Sequence, residues 1–455
     1  MIGYSGTGYK GMQLWDMNLC CLESKAKNCY SNSTAKTIEG DLFAAFVSAG
    51  AISKANADDP KKSSFVRCAR TDKGVHAAGN VVSLKLIVED EHIVQKINDN
   101  LSPQIRVWGY ERTTGSFSCY QVCNSRIYEY LIPTHAFLPP HPDSYLGRKL
   151  VQLAEEAGDS KEFEERQEEV STFWPVAEEK YIKPVLDSLD SATRALVQKA
   201  LYEPEAADDS ASTAEGAQTE RQEEERNYGA SHSKEAGPPQ DHPTSSKERS
   251  PLENATKSLR AAYTTAKKAY RIDPARLARI RSVLSLYVGT RNFHNYTIQK
   301  AHRDPSAKRV IKSFVVNPTP ILINDTEWLS LKVHGQSFMM HQIRKMVSMT
   351  ALIVRCGCDV NRTVESYGAD KISIPKAPGL GLLLERPVFD SYNERASTKF
   401  GKEKIDFGKY EGEIAEFKRR EIYERIFREE ERDNQYMNYS FPSLHVRTST
   451  VFDGR

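Results

Sequence analysis

The residues that could do chemistry are most concentrated in the stretch 67–80, which reads Arg-Cys-Ala-Arg-Thr-Asp-Lys-Gly-Val-His-Ala-Ala-Gly-Asn. Its carboxylate, Asp72, stands between two cations, Arg70 and Lys73, with His76 close behind. Cations this close favour the ionised form of a carboxyl group, so the sequence predicts a lowered pKa for Asp72 and a carboxylate available as a nucleophile. The alternative is a surface turn in which the aspartate caps its own backbone, because Asp-Lys-Gly is ordinary turn chemistry.

A second candidate segment is Arg-Ile-Tyr-Glu-Tyr-Leu-Ile at 126–132. Side chains alternate along a strand, so Arg126, Tyr128 and Tyr130 fall on one face. Paired tyrosines on a strand are often half-buried core residues. The functional alternative is an aromatic platform for an unstacked base, with a hydroxyl free for proton transfer.

A third candidate segment is Gly-Gln-Ser-Phe-Met-Met-His-Gln-Ile-Arg-Lys-Met at 335–346, which predicts a helix with Ser337 as its cap. An arginine in so apolar a helix, here Arg344, costs desolvation unless a carboxylate meets it. The alternative places Arg344 at the helix surface. His341 raises the question of a metal, but a lone histidine is more often structural than a ligand.

Other motifs in the chain carry less. Gly6-Thr7-Gly8-Tyr9-Lys10-Gly11 satisfies the dinucleotide fingerprint, but almost no strand precedes it and no helical period follows. The cysteine spacings match no zinc site. We therefore predict neither a metal nor a cofactor.

Composition sets broad limits. The 455 residues are enough for two or three domains, and 63 Lys and Arg against 61 Asp and Glu leave a net charge of +2. This balance neither demands nor excludes a polyanionic partner, because acidic segments elsewhere can offset a basic groove. Neither a secretory segment nor a membrane-spanning run is evident, which predicts a reducing intracellular compartment.

The elements that must position these residues alternate between strand and helix. Helices are predicted over 37–49, capped by Thr34 or Thr37, and over 90–100, with strands over 80–88 and 105–113. This order favours a ferredoxin-like α+β half. Further along, a helix around 277–287 and strands over 310–315 and 328–333 are predicted.

Composition shifts divide the chain. Residues 203–256 are rich in Glu, Ser, Ala and Gln with few large apolar groups, which predicts disorder. Beyond 396 a densely charged tail carries apolar residues at helical spacing, which favours an amphipathic helix packed on the body, with RNA contact through Lys418, Arg419 and Arg420 as the alternative. The predicted domains are 1–115 as an N-terminal half, 116–135 with 258–395 as a C-terminal half, 136–257 as an insertion and 396–455 as a helical extension.

Four motifs resemble those of the TruA family of tRNA pseudouridine synthases. Arg-Thr-Asp-Lys-Gly-Val-His-Ala at 70–77 is similar to the family's catalytic motif, and Arg-x-Tyr-x-Tyr at 126–130 to its aromatic segment. Ser-Phe-Met-Met-His-Gln-Ile-Arg at 337–344 is similar to its arginine motif, and Gly-Thr-Arg-Asn-Phe at 289–293 to its Gly-Thr turn. The first strand is shorter than the family pattern, so a start of the natural chain upstream of Met1 stays open.

The resemblance implies roles for individual residues. Asp72 would be the catalytic aspartate, Tyr128 would stack on the target uracil, and Arg344 would pair with Asp72. Arg70 would help extrude the nucleotide. The other residues implied in substrate binding or RNA contact are Lys73, His76, Arg126, Arg291 and Lys345.

The resemblance also implies an architecture and a reaction. Two ferredoxin-like halves would share an antiparallel sheet around a central basic cleft and isomerise uridine to pseudouridine without a cofactor. The implied substrate is tRNA, with the anticodon stem and loop region as the target, and with small nuclear and messenger RNA as further substrates. The implied compartment is the nucleus, with mitochondrion and cytoplasm open, and the oligomeric state is undetermined. Two other classes stay open: an RNA-binding protein of the same fold without catalysis, and an oxidoreductase using Gly6–Gly11.

Overall fold

The computed structural model describes residues 1–13, 36–57, 59–202 and 251–440. It divides the chain into two compact units. The main unit comprises Met1–Pro140, Leu153–Ser171 and Lys267–Arg455, and the insertion unit comprises His141–Gln152 and Thr172–Ala266.

The main unit is built on one mixed sheet. The described strands are β1 (Ile2–Tyr4), β2 (Val66–Arg67), β3 (His76–Asn80), β4 (Val82–Ser83), β5 (Ile105–Val107), β6 (Ser125–Pro133), β7 (Gly289–Asn292), β8 (Lys308–Val316), β9 (Ile321–Ile323), β10 (Thr326–Gly335) and β11 (Leu382–Val388). Their order is β5-β1-β3-β11-β6-β10-β8-β7, with β9 on β10 and with β2 and β4 as a separate pair. Neighbours are antiparallel except at the central junction of β3 with β11, where Leu383 pairs with His76. The predicted α+β fold with a mostly antiparallel sheet is confirmed.

The described helices flank this sheet or form the insertion unit. They are α1 (Ile38–Ser48), α2 (Ile93–Asp99), α3 (Tyr145–Ala157), α4 (Ser160–Glu165), α5 (Phe173–Ala177), α6 (Lys183–Asp187), α7 (Ser191–Tyr202), α8 (Pro251–Lys268), α9 (Pro274–Ser285), α10 (Gln342–Arg355), α11 (Arg362–Glu365), α12 (Asp390–Lys399), α13 (Glu411–Phe417), α14 (Glu424–Asp433) and α15 (Gln435–Ser440). No helix within these described ranges has the length and apolar character needed to span a bilayer.

Several predicted boundaries move in the structure. Thr37 caps α1 as predicted, by accepting a hydrogen bond from Gly40 N at 3.2 Å. The single strand predicted over 80–88 is replaced by two short strands, β3 (His76–Asn80) in the main sheet and β4 (Val82–Ser83) paired with β2. Beyond Ser83 the backbone binds loops instead of a neighbouring strand: Lys85 N donates to Ser63 O, and Ile87 N donates to Ala51 O. The apolar alternation at 84–88 therefore belongs to an extended segment that is not paired with a neighbouring strand.

The charged extension packs on the sheet, as the first interpretation predicted. Lys418 Nζ lies 2.6 Å from carboxylate oxygens of both Glu129 and Glu385, and Tyr423 donates to Glu129 at 2.8 Å. Ser330 donates to the same Glu129. This group, which we call the anchor cluster, ties the extension to strands β6, β10 and β11. Lys418 is thereby engaged, which argues against the alternative in which it contacts RNA.

The insertion unit has its own apolar core. The buried members are Trp174, Ala177, Ile182, Leu186, Val197, Ala255, Leu259, Tyr263 and Ala266. The predicted disordered segment lies outside the described residues over 203–250. Its last six residues, 251–256, were predicted wrongly, because they begin α8 and Ala255 is buried in this core.

Candidate active site

The loop between β2 and β3 carries Asp72 and is fixed at its base. Thr71 is buried; its hydroxyl lies 2.9 Å from the Tyr4 hydroxyl, and its carbonyl accepts a hydrogen bond from Met12 N at 3.1 Å. Val75 N donates to Asp72 O at 3.1 Å across a turn in which Gly74 has a φ of 77°. A side chain at that φ would be strained, so glycine permits the turn that projects Asp72.

The glycine run at 6–11 supports this loop. A Cβ on Gly6 would lie 2.3 Å from Val75 O, and one on Gly11 would lie 3.1 Å from Thr71 O. Backbone therefore approaches backbone more closely than any larger residue allows. The contacts account for the glycines without a dinucleotide.

His76 is the first residue of β3, directly after the loop that carries Asp72. It is fully buried, and its Nδ1 accepts from Gly6 N at 3.2 Å and lies 3.2 Å from Ser5 Oγ. Burial lowers the pKa of His76 to about 4, so the ring is neutral and both contacts orient the turn after β1. The structure gives His76 a supporting position and no open path to a substrate.

Asp72 is half-exposed, with 53 % of its side chain accessible. Partial burial raises the pKa of Asp72, and the charges of Arg344 and Lys376 oppose that rise. The predicted lowering of this pKa by Arg70 and Lys73 is therefore wrong. Both flanking side chains are exposed, and the cations that act on the carboxylate come from α10 and from the loop before β11.

Arg344 approaches Asp72 without pairing with it. Its Nε donates to Ala377 O at 2.6 Å, and Ala377 N donates back to Arg344 O at 3.3 Å. Within the described ranges the side chain that approaches the Asp72 carboxylate within 4 Å is His341, and Arg344 makes no direct ion pair with it. The implied Asp72–Arg344 pair is thus corrected to a through-space interaction, because Arg344 is held by the loop at Ala377.

Tyr128 is the next candidate site residue, and it lies on β6. It is 9 % exposed, its ring meets Phe338 edge to face at 5.3 Å between centroids, and burial raises its pKa well above the ordinary value. The charge of Asp72 adds slightly to this rise. In the described part of the chain the hydroxyl has no hydrogen-bond partner. It is therefore available to a ligand.

The remaining predicted contact residues are spread around this centre. Arg126 donates to Cys68 O at 2.9 Å and so holds the strand that leads into the loop. Lys345 donates to Thr297 O at 3.3 Å, and Arg291 is exposed on β7. All three cations donate to backbone carbonyls, but Arg291, which donates to Thr290 O at 3.4 Å, is the exposed one.

Two neighbours of Asp72 were not assigned to the site from sequence. His341 Nδ1 lies 3.7 Å from Asp72 Oδ2, and Lys376 acts on both side chains. Ser337 was predicted to cap the helix, but α10 begins at Gln342 with His341 as its N-cap, in a left-handed conformation with a φ of 60°. That unusual backbone turns the histidine toward Asp72. No period in the sequence could have revealed it.

The site offers no evident place for a metal. Across residues 1–13, 36–57, 59–202 and 251–440, no group of three or more His, Cys, Asp or Glu side chains lies close enough to hold an ion. What the arrangement provides is a half-exposed carboxylate, a neutral phenol and several cations. These groups suit nucleophilic attack and proton transfer on a polyanionic substrate.

Comparison with known proteins identifies similar chains. The profile of a family described as "tRNA pseudouridine synthase" matches residues 283–390. The protein named tRNA pseudouridine synthase 1 from Yarrowia lipolytica is 43% identical over 445 residues, which cover 98% of this chain and 73% of that protein. The protein of the same name from Schizosaccharomyces pombe is 42% identical, over 95% of this chain and 80% of the relative. A Saccharomyces cerevisiae protein named tRNA pseudouridine(27/28) synthase is 32% identical, over 87% and 85% respectively.

Proposed function

The chain belongs to the tRNA pseudouridine synthase family, and we propose from this premise that it isomerises uridine to pseudouridine in tRNA with Asp72 as the nucleophile. One observation carries the assignment of the residue. Tyr128 and Arg344 come from parts of the chain distant from Asp72, and both interact electrostatically with its half-exposed carboxylate.

The substrate must first present its base. A uridine stacked in RNA cannot reach a carboxylate in a cleft, so the nucleotide has to be flipped out at a cost of a few kcal/mol. Arg70 is exposed beside Asp72 and forms no ion pair among the described residues, so it is free to contact the phosphate or the vacated stack. The edge-on pair of Tyr128 and Phe338 offers the flipped uracil an apolar wall.

The carboxylate then acts at the sugar. Asp72 attacks C1′ as the bond from C1′ to N1 of uracil breaks, and the resulting ester holds the ribose as in a retaining glycosidase. The freed uracil anion turns, its C5 attacks C1′ as the Asp72 oxygen leaves as a carboxylate, and the product forms when C5 loses its proton and N1 gains one. Arg344 and Lys376 stabilise the anion before attack and after release, because both charges act on Asp72. A non-catalytic protein of this fold would have no use for that arrangement.

Narrower statements are proposals that rest on the resemblance. We propose the anticodon stem and loop region as the target within tRNA, small nuclear and messenger RNA as further substrates, and the nucleus as the compartment. Transcripts of each RNA class, incubated separately with the protein and mapped for pseudouridine, test the substrate range. Microscopy of the tagged chain tests the localisation.

The test of the activity is direct. Unmodified tRNA transcripts are incubated with the protein, and pseudouridine is mapped chemically along the product. We expect modification by the wild-type chain and none by Asp72→Asn. A wild-type protein that binds the transcript tightly and forms no pseudouridine would contradict the proposal.

A further inference from the structure

We propose that His341 is the base that removes the C5 proton of uracil in the last step of pseudouridine formation. The inference rests on the proposed function and deepens it. When C5 of uracil attacks C1′, C5 carries both the new bond to the ribose and its original hydrogen. The C5–H bond must break, its electron pair must restore the C5–C6 double bond, and the N1–C6 pair returns to N1, which takes a proton from solvent. The C5 proton needs an acceptor within reach.

His341 is placed for this task. Its Nδ1 lies 3.7 Å from Asp72 Oδ2, too far for a hydrogen bond, and its side chain is only 12 % exposed. In the described part of the chain this buried nitrogen has no hydrogen-bond partner. A buried polar atom without a partner is costly, and such atoms collect at functional sites. His341 therefore keeps an unused nitrogen lone pair close to the carboxylate against which the ring would bind.

The backbone at His341 carries a second sign of selection for position. A φ of 60° is uncommon for any residue other than glycine, although histidine, like asparagine and aspartate, adopts it more readily than most. Strain of this kind persists where the surroundings impose it, and it clusters at functional sites. Here it marks the residue that precedes α10 and whose Nδ1 lies 3.7 Å from Asp72 Oδ2.

The charges around His341 set its protonation state. Burial lowers the pKa of His341 to about 4, and the charges of Lys376, Arg344 and Lys345 act in the same direction. The imidazole is thus neutral at pH 7 and has a lone pair to offer. Tyr128 is the other acid–base group near Asp72, but its raised pKa keeps it a neutral phenol, which has little basicity.

Asp72 makes His341 a stronger base at the moment it is needed. While Asp72 is esterified to C1′ it carries no charge, and the cations alone act on the ring. When C5 displaces the ester, the carboxylate reappears about 3.7 Å from Nδ1 and favours the imidazolium. His341 takes the proton beside that charge and later returns it to solvent.

The experiment measures single turnover of a tRNA transcript made with uridine deuterated at C5. We compare wild type with His341→Asn, which tolerates the left-handed backbone, and with His341→Gly, which leaves room for added imidazole. His92→Asn is the matched control, because His92 is exposed at the start of α2 and has no side-chain contact to the site. Melting temperature and transcript Kd accompany each rate.

We expect both His341 variants to bind tRNA normally and to lose about 10²-fold to 10⁴-fold in rate, the range for a general base. Their rates should become sensitive to deuterium at C5, and imidazole should partly restore His341→Gly. A loss of rate without an isotope effect or rescue would reduce His341 to a structural role and overturn the inference, as would a rate close to wild type. An isotope effect in Tyr128→Phe but not in the His341 variants would assign the proton to the phenol. Inactivity of the wild-type protein would instead contradict the proposed function.

Discussion

Tyr128 and Glu129 are consecutive residues of β6, and they face opposite sides of the sheet because side chains alternate along a strand. On the Tyr128 side, cations gather around one half-exposed carboxylate, Asp72, and none forms a direct carboxylate pair in the described residues. On the Glu129 side, Lys418 is held between two carboxylates in the anchor cluster. Among the described residues, strand β6 therefore lies between cations without a carboxylate partner, on the Tyr128 side, and a cation paired with two carboxylates, on the Glu129 side.

The two sides of the sheet differ in whether the fold already pairs the cation with a carboxylate. A buried ammonium between Glu129 and Glu385 has exchanged water for fixed partners, so it serves stability and is closed to a ligand. The cations near Asp72 have kept their capacity to bind an anion. Basic residues that look alike in sequence thus divide into anchors and contacts according to the carboxylates that the fold brings to them.

The largest expected effect is at Asp72. Asp72→Asn should abolish pseudouridine formation, with a loss of at least about 10⁴-fold, which is the scale for removing a nucleophile. Because partial burial raises the pKa of Asp72, the ionised group slightly disfavours the fold above that pKa, and the amide should not lower the melting temperature. Transcript affinity should be unchanged or tighter. Appreciable turnover by Asp72→Asn would refute the nucleophile assignment.

Lys418 tests the other side of the sheet. Lys418→Met leaves Glu129, which is 2 % exposed, buried without its cation, and should cost about 3–5 kcal/mol in the free energy of unfolding. Replacing Glu129 by Gln in the same chain should recover part of the loss, because the stranded charge is removed. Denaturant unfolding measures both.

The control for Lys418 is Arg419→Ala, since Arg419 is 62 % exposed on the same extension. We expect no measurable change in stability for the control. The activity of folded Lys418→Met should equal that of wild type. A cost below about 1 kcal/mol would mean that the anchor cluster does not hold the extension.

Arg344 should affect the reaction more than the fold. Arg344→Lys keeps the charge but loses the guanidinium held at Ala377, so the single-turnover rate should fall by about 10²-fold to 10³-fold. No direct ion pair joins Arg344 to Asp72. The effects of Arg344→Lys and Asp72→Asn on the free energy of unfolding should therefore add to within about 0.5 kcal/mol in the double variant. A larger stability coupling would show that the pair forms in solution after all.

A carboxylate of the extension offers a pH test. Glu430 is buried, accepts hydrogen bonds from Tyr436 N, and has its pKa raised by burial to about 7. Folding therefore holds a proton that the unfolded chain releases, so stability is highest below about pH 4.5 and falls as the pH rises to 7. Glu430→Gln removes this fall, and at pH 8 it should be more stable than wild type by about 2 kcal/mol. Equal pH profiles for the two chains would contradict the shift.

The sequence predicted the elements of the site better than its contacts. The loop around Asp72, the strand of Tyr128 and the helix of Arg344 follow from local turn chemistry, alternation and period, and the structure contains all three. The contact of His341 with Asp72 depends on a left-handed residue and on packing between distant segments, which no local pattern encodes. The direction of the Asp72 pKa shift was missed for the same reason: adjacency in sequence suggested a lowering by Arg70 and Lys73, whereas burial raises the pKa against the opposing charges of Arg344 and Lys376.

The smallest effect separates two arginines that sequence composition cannot tell apart. Arg70 is exposed beside Asp72 without an ion pair in the described residues, whereas Arg419 contacts Glu416 and Glu424 at 2.8 and 3.0 Å. A cation that meets a phosphate releases counterions, so Arg70→Ala should reduce the slope of log Kd against log salt by about 0.7–0.9, the contribution of one phosphate. Arg419→Ala should leave that slope unchanged, because its carboxylates already neutralise it. Transcript titrations between low and moderate salt, on folded proteins of equal melting temperature, measure both slopes. Equal slopes for the two variants would mean that ion pairing within the fold does not decide which arginines contact RNA.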